Sequence, residues 1–222
     1  MKNRNNIPKR ILVISALFVI TSGIVKATDM IQSNADKFYN HGNSFYSKGM
    51  MDSAIVFYTK TIEIDAKYIR AYNNRGIAYY KKGNIVNAIV DYNKAIELEP
   101  KDARSYLNRG LAYNKIDSTT QAIADFTKAV KTDSLYSKAY YNRALLYKKI
   151  GELDKSIADY KIAINLSPKD ANAMNELGDI YIQKNNNEKA LYWYQKSLEN
   201  KEKLSEQQIQ AIKDKIKSFK TN

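Results

Sequence analysis

The chain of 222 residues has no cysteine. That excludes disulfides, thiol catalysis and the lipid-bearing cysteine of a bacterial lipoprotein. There is one histidine, His41. No glycine-rich phosphate loop and no cluster of metal ligands can be read from the residues, so the usual equipment of an enzyme is missing. Long apolar runs are also scarce. The run Ile11–Val25 covers 15 residues, about 22 Å as a helix. The hydrocarbon core of a bilayer is about 30 Å thick. Acids are outnumbered, 23 against 36 lysines and arginines, for a formal charge of +13.

What the chain has is a repeat. Gly42, Gly76, Gly110, Ala144 and Gly178 stand 34 residues apart without an insertion. Ala54, Ala88, Ala122, Ser156 and Ala190 follow in register, then Tyr58, Tyr92, Phe126, Tyr160 and Tyr194. A period of this length marks stacked supersecondary units rather than one closed core. The units are numbered from position 1 at Ala35, Ile69, Ala103, Ser137 and Ala171. Positions 4, 7, 8 and 11 share one helix face, and positions 20, 24 and 27 share a face of a second helix. Small residues at 8, 20 and 27 let the backbones approach, and rings at 4, 11 and 24 fill the space around them. Gly49, Gly83 and Gly151 at position 15 mark the turn between helices. Pro100 and Pro168 at position 32 stop the second helix. Most of the 18 tyrosines fall at packing positions.

The pattern of aromatic-4, Gly/Ala-8, Tyr-11, Ala-20, aromatic-24, Ala-27 and Pro-32 resembles the tetratricopeptide repeat family. Repeat 2, Ile69–Asp102, carries all of it in Tyr72, Gly76, Tyr79, Ala88, Tyr92, Ala95 and Pro100. Repeats 1 and 5 match less well, with Thr61 and Ser197 at position 27 and Ala66 and Glu202 at position 32. The resemblance implies an all-α fold, a right-handed superhelical solenoid of five helix–turn–helix repeats. These are residues 35–68, 69–102, 103–136, 137–170 and 171–204. It also implies a concave groove lined by the first helices, which in the family often holds a peptide.

Both ends depart from the repeat. Lys2, Arg4, Lys9 and Arg10 precede the apolar run, and Val25-Lys26-Ala27 follows it. A basic head, an apolar middle and a small-residue exit form a secretory signal, so residues 1–27 are expected to be a cleaved signal or an uncleaved membrane anchor. Cleavage after Ala27 removes five positive charges and no negative one, leaving +8 of the +13. Residues 28–34 are expected to be a linker. Residues 205–222 are expected to form a capping helix. Ser205 and Gln208 have capping-box spacing, and Leu204 and Ile209 can staple the start. Ile209, Ile212, Ile216 and Phe219 make one stripe. A membrane-surface helix is the other reading of that basic, striped segment.

The charges separate into two sets. Position 7 reads His41, Arg75, Arg109, Arg143 and Leu177, and position 23 reads Phe57, Asp91, Asp125, Asp159 and Trp193. Arginine and aspartate occur together or not at all, so each arginine is expected to be neutralised by an aspartate on the neighbouring helix. His41, at the same inward position, is expected to be packed. Position 6 holds Asn40, Asn74, Asn108 and Asn142, then Glu176, and the resemblance turns this position towards the groove. An amide both donates and accepts, so this ladder can hold a peptide backbone. Position 2 brings Asp36, Arg70, Arg104, Lys138 and Asn172. Across the groove positions the middle repeats carry Arg70, Lys81, Arg104, Lys115, Lys138, Lys148 and Lys149 and no acid. Some family members clamp a C-terminal carboxylate. Asn43, Asn74 and Arg104 match that clamp, whereas Tyr39 and Asn108 depart from it.

These readings point to a non-enzymatic scaffold, exported from the cytoplasm to the periplasm or beyond, or held in the inner membrane facing outward. It binds an acidic or C-terminal peptide of another protein and needs no cofactor. The expected contacts are Asn40, Asn43, Asn74, Asn108, Asn142, Arg70, Arg104 and Lys138. The alternatives are an enzyme, a basic solenoid for nucleic acid, and a membrane-anchored assembly factor of an envelope complex. The export signal disfavours nucleic acid. Membrane contact through the N-terminal segment stays open.

Overall fold

The computed structural model describes residues 30–219, and the signal or anchor expected at 1–27 lies outside them. Every regular element among the described residues is helical. The first unit, ending at Leu98, holds α1 (residues 30–47), α2 (Met51–Ile64), α3 (Ile69–Lys81) and α4 (Ile85–Leu98). The second, from Glu99, holds α5 (Ala103–Lys115), α6 (Thr119–Thr132), α7 (Ser137–Lys149), α8 (Leu153–Leu166), α9 (Ala171–Gln183), α10 (Asn187–Glu199) and α11 (Glu206–Ser218). A single 3₁₀ turn, Lys201–Lys203, precedes α11. Within each unit, consecutive helices pair, and each pair packs on the next.

The repeat explains the pairing. A methyl group added at Gly42, Gly76, Gly110 or Gly178 would lie 2.6 Å from a ring carbon of Tyr58, Tyr92, Phe126 or Tyr194. The position-24 ring therefore rests on the backbone of the first helix, and those rings are almost wholly buried. Buried hydroxyls at the small positions find carbonyls: Ser156 Oγ donates to Ala144 O and Ser197 Oγ to Ala171 O, both at 2.7 Å. Position 15 is left-handed in all five repeats. Gly49, Gly83 and Gly151 have φ of 76–80°, and Asp117 and Asn185 take the same conformation at 55° and 54°. Aspartate and asparagine tolerate that region best after glycine.

Three expectations need correction. Residues 30–34, expected as linker, are already helical, because nothing between Met30 and Ala35 breaks a helix. His41 is exposed and meets Phe57 only edge-on, with centroids 5.3 Å apart. Position 7 flanks the core instead of filling it, and only Leu177 is fully buried there. The rings at positions 4 and 11 are mostly half-buried. They hold the position-7 arginines between them, with Arg143 5.6 Å from the Tyr140 centroid and 5.8 Å from that of Tyr147.

The last helix begins with a complete capping box. Gln208 N–H donates to Ser205 Oγ at 3.2 Å, and Ser205 N–H donates to Gln208 Oε1 at 2.8 Å. Ile212 is buried, and Leu204, Ile216 and Phe219 join the core of the fifth repeat. Lys215 ties the helix to Asp179 at 2.6 Å.

Candidate functional site

The first unit wires its candidate residues together. Asn74 donates to Tyr39 Oη at 2.9 Å and to Asn43 Oδ1 at 3.0 Å. The same Asn43 oxygen accepts from the Tyr58 hydroxyl at 2.9 Å. Burial pushes the Tyr58 phenol up to about 12, so it remains a donor at neutral pH. Arg70 lies over the rings of Tyr39 and Tyr68, 5.4 Å from each centroid. Tyr68 in turn donates to Asp36 at 2.6 Å. Asn43, Asn74 and Arg70 thus form one connected cluster, but both donor hydrogens of Asn74 are used inside the protein. Asn74 offers a peptide its carbonyl oxygen alone. Asn40 is exposed on α1, and no described bond uses its amide.

The second unit treats the same positions differently. The Asn108 Nδ2 group is buried and has no hydrogen-bond partner. Asn142 gives one hydrogen to the Lys138 carbonyl of its own helix, at 2.7 Å, and keeps the other. Arg104 and Lys138, at the starts of α5 and α7, are exposed and enter no ion pair among the described residues. Burial raises the Tyr136 phenol, and the Arg104 charge offsets only part of that rise.

The basic excess is smaller than the residue count implies. Lys148 is held by Glu176 at 2.8 Å and Asp179 at 3.8 Å, and Lys149 by Asp117 at 2.8 Å. Lys81 lies 4.6 Å from the Tyr46 centroid. The position-7 arginines are neutralised as their pairing pattern requires. Each makes a two-pronged contact with its own repeat's aspartate: Arg75–Asp91 at 2.9 and 2.7 Å, Arg109–Asp125 at 2.8 and 2.7 Å, and Arg143–Asp159 at 2.7 and 2.8 Å. Hydrogen bonding to Asp125 and Asp159 drives the Arg109 and Arg143 pKa values upward, so these charges are permanent. They are structural and leave Arg104, Lys115 and Lys138 as the cations available on the first-helix face of the second unit. No group of acids and histidine able to hold a metal forms among the described residues.

Sequence reasoning overlooked the tyrosines that partner the asparagines, Tyr39 and Tyr58. It also overlooked position 33, which reads Lys67, Lys101, Leu135, Lys169 and Lys203. The 34-residue period carried that signal as plainly as it carried position 6.

Comparison with known proteins agrees with this architecture. Models of the tetratricopeptide repeat match residues 42–83, 69–102, 91–124 and 135–203. Solved structures of MamA are similar. One is 30% identical, with a TM-score of 0.67 over 73% of this chain and 95% of that one. MamA from Desulfovibrio magneticus RS-1, residues 41 to the end, is 20% identical, with a TM-score of 0.69 over 78% and 97%. YrrB, a TPR protein with an unusual peptide-binding site, is 23% identical, with a TM-score of 0.63 over 81% and 93%. No curated protein matches. The repeat models lie along the helices just described, 69–102 on the α3–α4 pair and 135–203 on α7 to α10, and one MamA structure is 30% identical with 95% of it covered; the chain belongs to the tetratricopeptide repeat family.

Proposed function

We propose that the chain is a non-enzymatic scaffold that binds an acidic, extended segment of another protein on the first helices of its second unit. Members of its family are protein-binding scaffolds. The observation that carries the reading is the buried, unpartnered Nδ2 of Asn108. A buried donor left without an acceptor costs about 1–3 kcal/mol, and turning the half-buried Asn108 side chain outward to a peptide carbonyl would recover that. Asn142, one repeat on, keeps a donor for the same strand, and Arg104 and Lys138 supply the positive charge. A C-terminal carboxylate would satisfy Arg104 as well as an acidic side chain does. Export is part of the proposal. Its support is the basic head and apolar run at 1–27, and mass spectrometry of the native protein, showing Thr28 as the first residue, is its check. An intact Met1 in the cytoplasmic pool would refute it.

The binding proposal is tested with a fluorescein-labelled peptide, Gly-Ser-Glu-Asp-Leu-Phe-Glu-Asp-Ser-Gly, titrated by anisotropy. Each neutral hydrogen bond nets about 0.5–1.5 kcal/mol. The Asn108→Ala/Asn142→Ala variant should therefore bind about five- to a hundredfold more weakly, with its helical circular dichroism unchanged. Arg104→Glu should also weaken binding and reduce its salt dependence. The wild-type chain's failure to bind at millimolar concentration, or unchanged binding by the double-alanine variant, would refute the proposal.

A further inference from the structure

A pocket of about 620 Å³ opens in the second unit, where the end of one repeat meets the first helix of the next. Clefts that hold ligands run from about 300 to 1,000 Å³. Its lining is periodic. Position 33 contributes Leu135, Lys169 and Lys203, and position 2 contributes Lys138 and Asn172. Tyr141 adds an aromatic wall.

The lining combines two properties that folding does not use. The first is charge. Elsewhere in this unit Lys148, Lys149, Lys184 and Lys215 each meet a carboxylate on another helix or turn. Lys138, Lys169 and Lys203 meet none among the described residues, yet all three line one pocket. The one acid in the lining, Asp170, accepts the Ala173 N–H at 3.1 Å and so caps α9. The second property is apolar surface. Leu135 is 73% exposed at the pocket, although it stands where the four other repeats carry lysine. Asn172 is fixed through its oxygen, which accepts from Gln208 Nε2 at 3.0 Å. Its amide hydrogens remain for a ligand. Three cations around an apolar wall fit an apolar side chain with carboxylates on either side of it.

We infer that this pocket anchors the acidic partner segment by one bulky apolar residue, which seats against Leu135 and Tyr141 while flanking carboxylates engage Lys138, Lys169 and Lys203. The inference rests on the peptide-binding reading above. It adds what that reading lacks, a reason for the scaffold to prefer one acidic sequence over another.

The test compares the Leu-Phe peptide with a version carrying Ala-Ala in place of Leu-Phe, against the full chain and two variants. Lys169→Glu/Lys203→Glu alters only exposed residues outside the Asn108 face. It should weaken the Leu-Phe peptide about tenfold or more, because charge-assisted bonds are lost and replaced by repulsion. Leu135→Ser should weaken the Leu-Phe peptide severalfold and leave the Ala-Ala peptide unaffected. Wild-type chain should prefer Leu-Phe over Ala-Ala. Equal affinity for the two peptides overturns the pocket, and so does unchanged binding by the lysine variant. If Asn108→Ala still weakens binding in those cases, the peptide-binding reading stands and only the pocket falls. If neither Asn108→Ala nor the lysine variant has an effect, both fall.

Discussion

Removing Arg143 should unfold the fourth repeat's logic in a measurable way. Asp159 has a side chain only 6% exposed and takes two bonds from Arg143, at 2.7 and 2.8 Å. Arg143→Leu would leave that carboxylate buried without a counter-charge. Breaking a buried pair from one side costs about 3–5 kcal/mol. The Arg143 side chain is itself 14% exposed, so water can reach the orphaned acid, which sets the expectation near the low end, about 3 kcal/mol. Asp159→Trp made in the same molecule should restore about 2 kcal/mol, since replacing both partners of a buried pair by apolar groups is often neutral. Repeat 5 already lives this way, with Leu177 fully buried and Trp193 packed beside it. The assay is urea unfolding followed by helical circular dichroism on wild type, both single variants and the double variant. A coupling within about 0.5 kcal/mol of zero would refute the reasoning, because contacting residues that depend on each other must be non-additive.

Asn185→Gly should stabilise the chain by about 0.5–1 kcal/mol, since φ is 54° there and glycine takes that conformation without strain; an unchanged urea midpoint would count against the turn assignment. Gly110→Ala should cost about 1–3 kcal/mol, because its methyl would sit 2.6 Å from a Phe126 ring carbon; Phe126→Leu in the same chain should reduce the cost. Burial pushes the Tyr58 and Tyr141 phenols up to about 12 from the usual 10. The unfolded chain therefore loses these protons first, so stability is intact below about pH 10 and declines between about pH 10 and 12. Phenolate absorbance and circular dichroism should then change together in that window, and full ionisation near pH 10 with the helices intact would contradict it.

Most of the fold was legible in the sequence because a strict repeat displays each constraint several times over. The Arg–Asp pairing could be read within one chain, since Leu177 and Trp193 vary together where the pair is missing. Two features were harder. Helical spacing places position 7 on the inner half of α3, α5 and α7, but it does not set how wide the buried stripe is. His41 and the arginines fall at its border. The asparagine ladder looked uniform, and its members behave in different ways. Asn74 meets Tyr39 and Asn43 from the preceding repeat, whereas Asn142 turns to its own helix and Asn108 finds no acceptor. For Asn74 and Asn142 the residues at positions 5 and 9 of the preceding repeat decide that, Tyr39 and Asn43 for one and Leu107 and Leu111 for the other, and a ladder read one position at a time does not include them. Asp117 and Asn185 were legible in principle, as the residues that best tolerate a left-handed turn after glycine.

The central claim is that the first helices of the second unit hold a peptide through Asn108. Its most direct test is the Asn108 side-chain amide signal, assigned by its loss in Asn108→Ala, in a ¹⁵N–¹H NMR titration with the acidic peptide. The expected result is a saturable shift of that signal, accompanied by backbone shifts in α5 and α7. A stationary Asn108 signal, with shifts confined to α6, α8 and α10, would contradict the account.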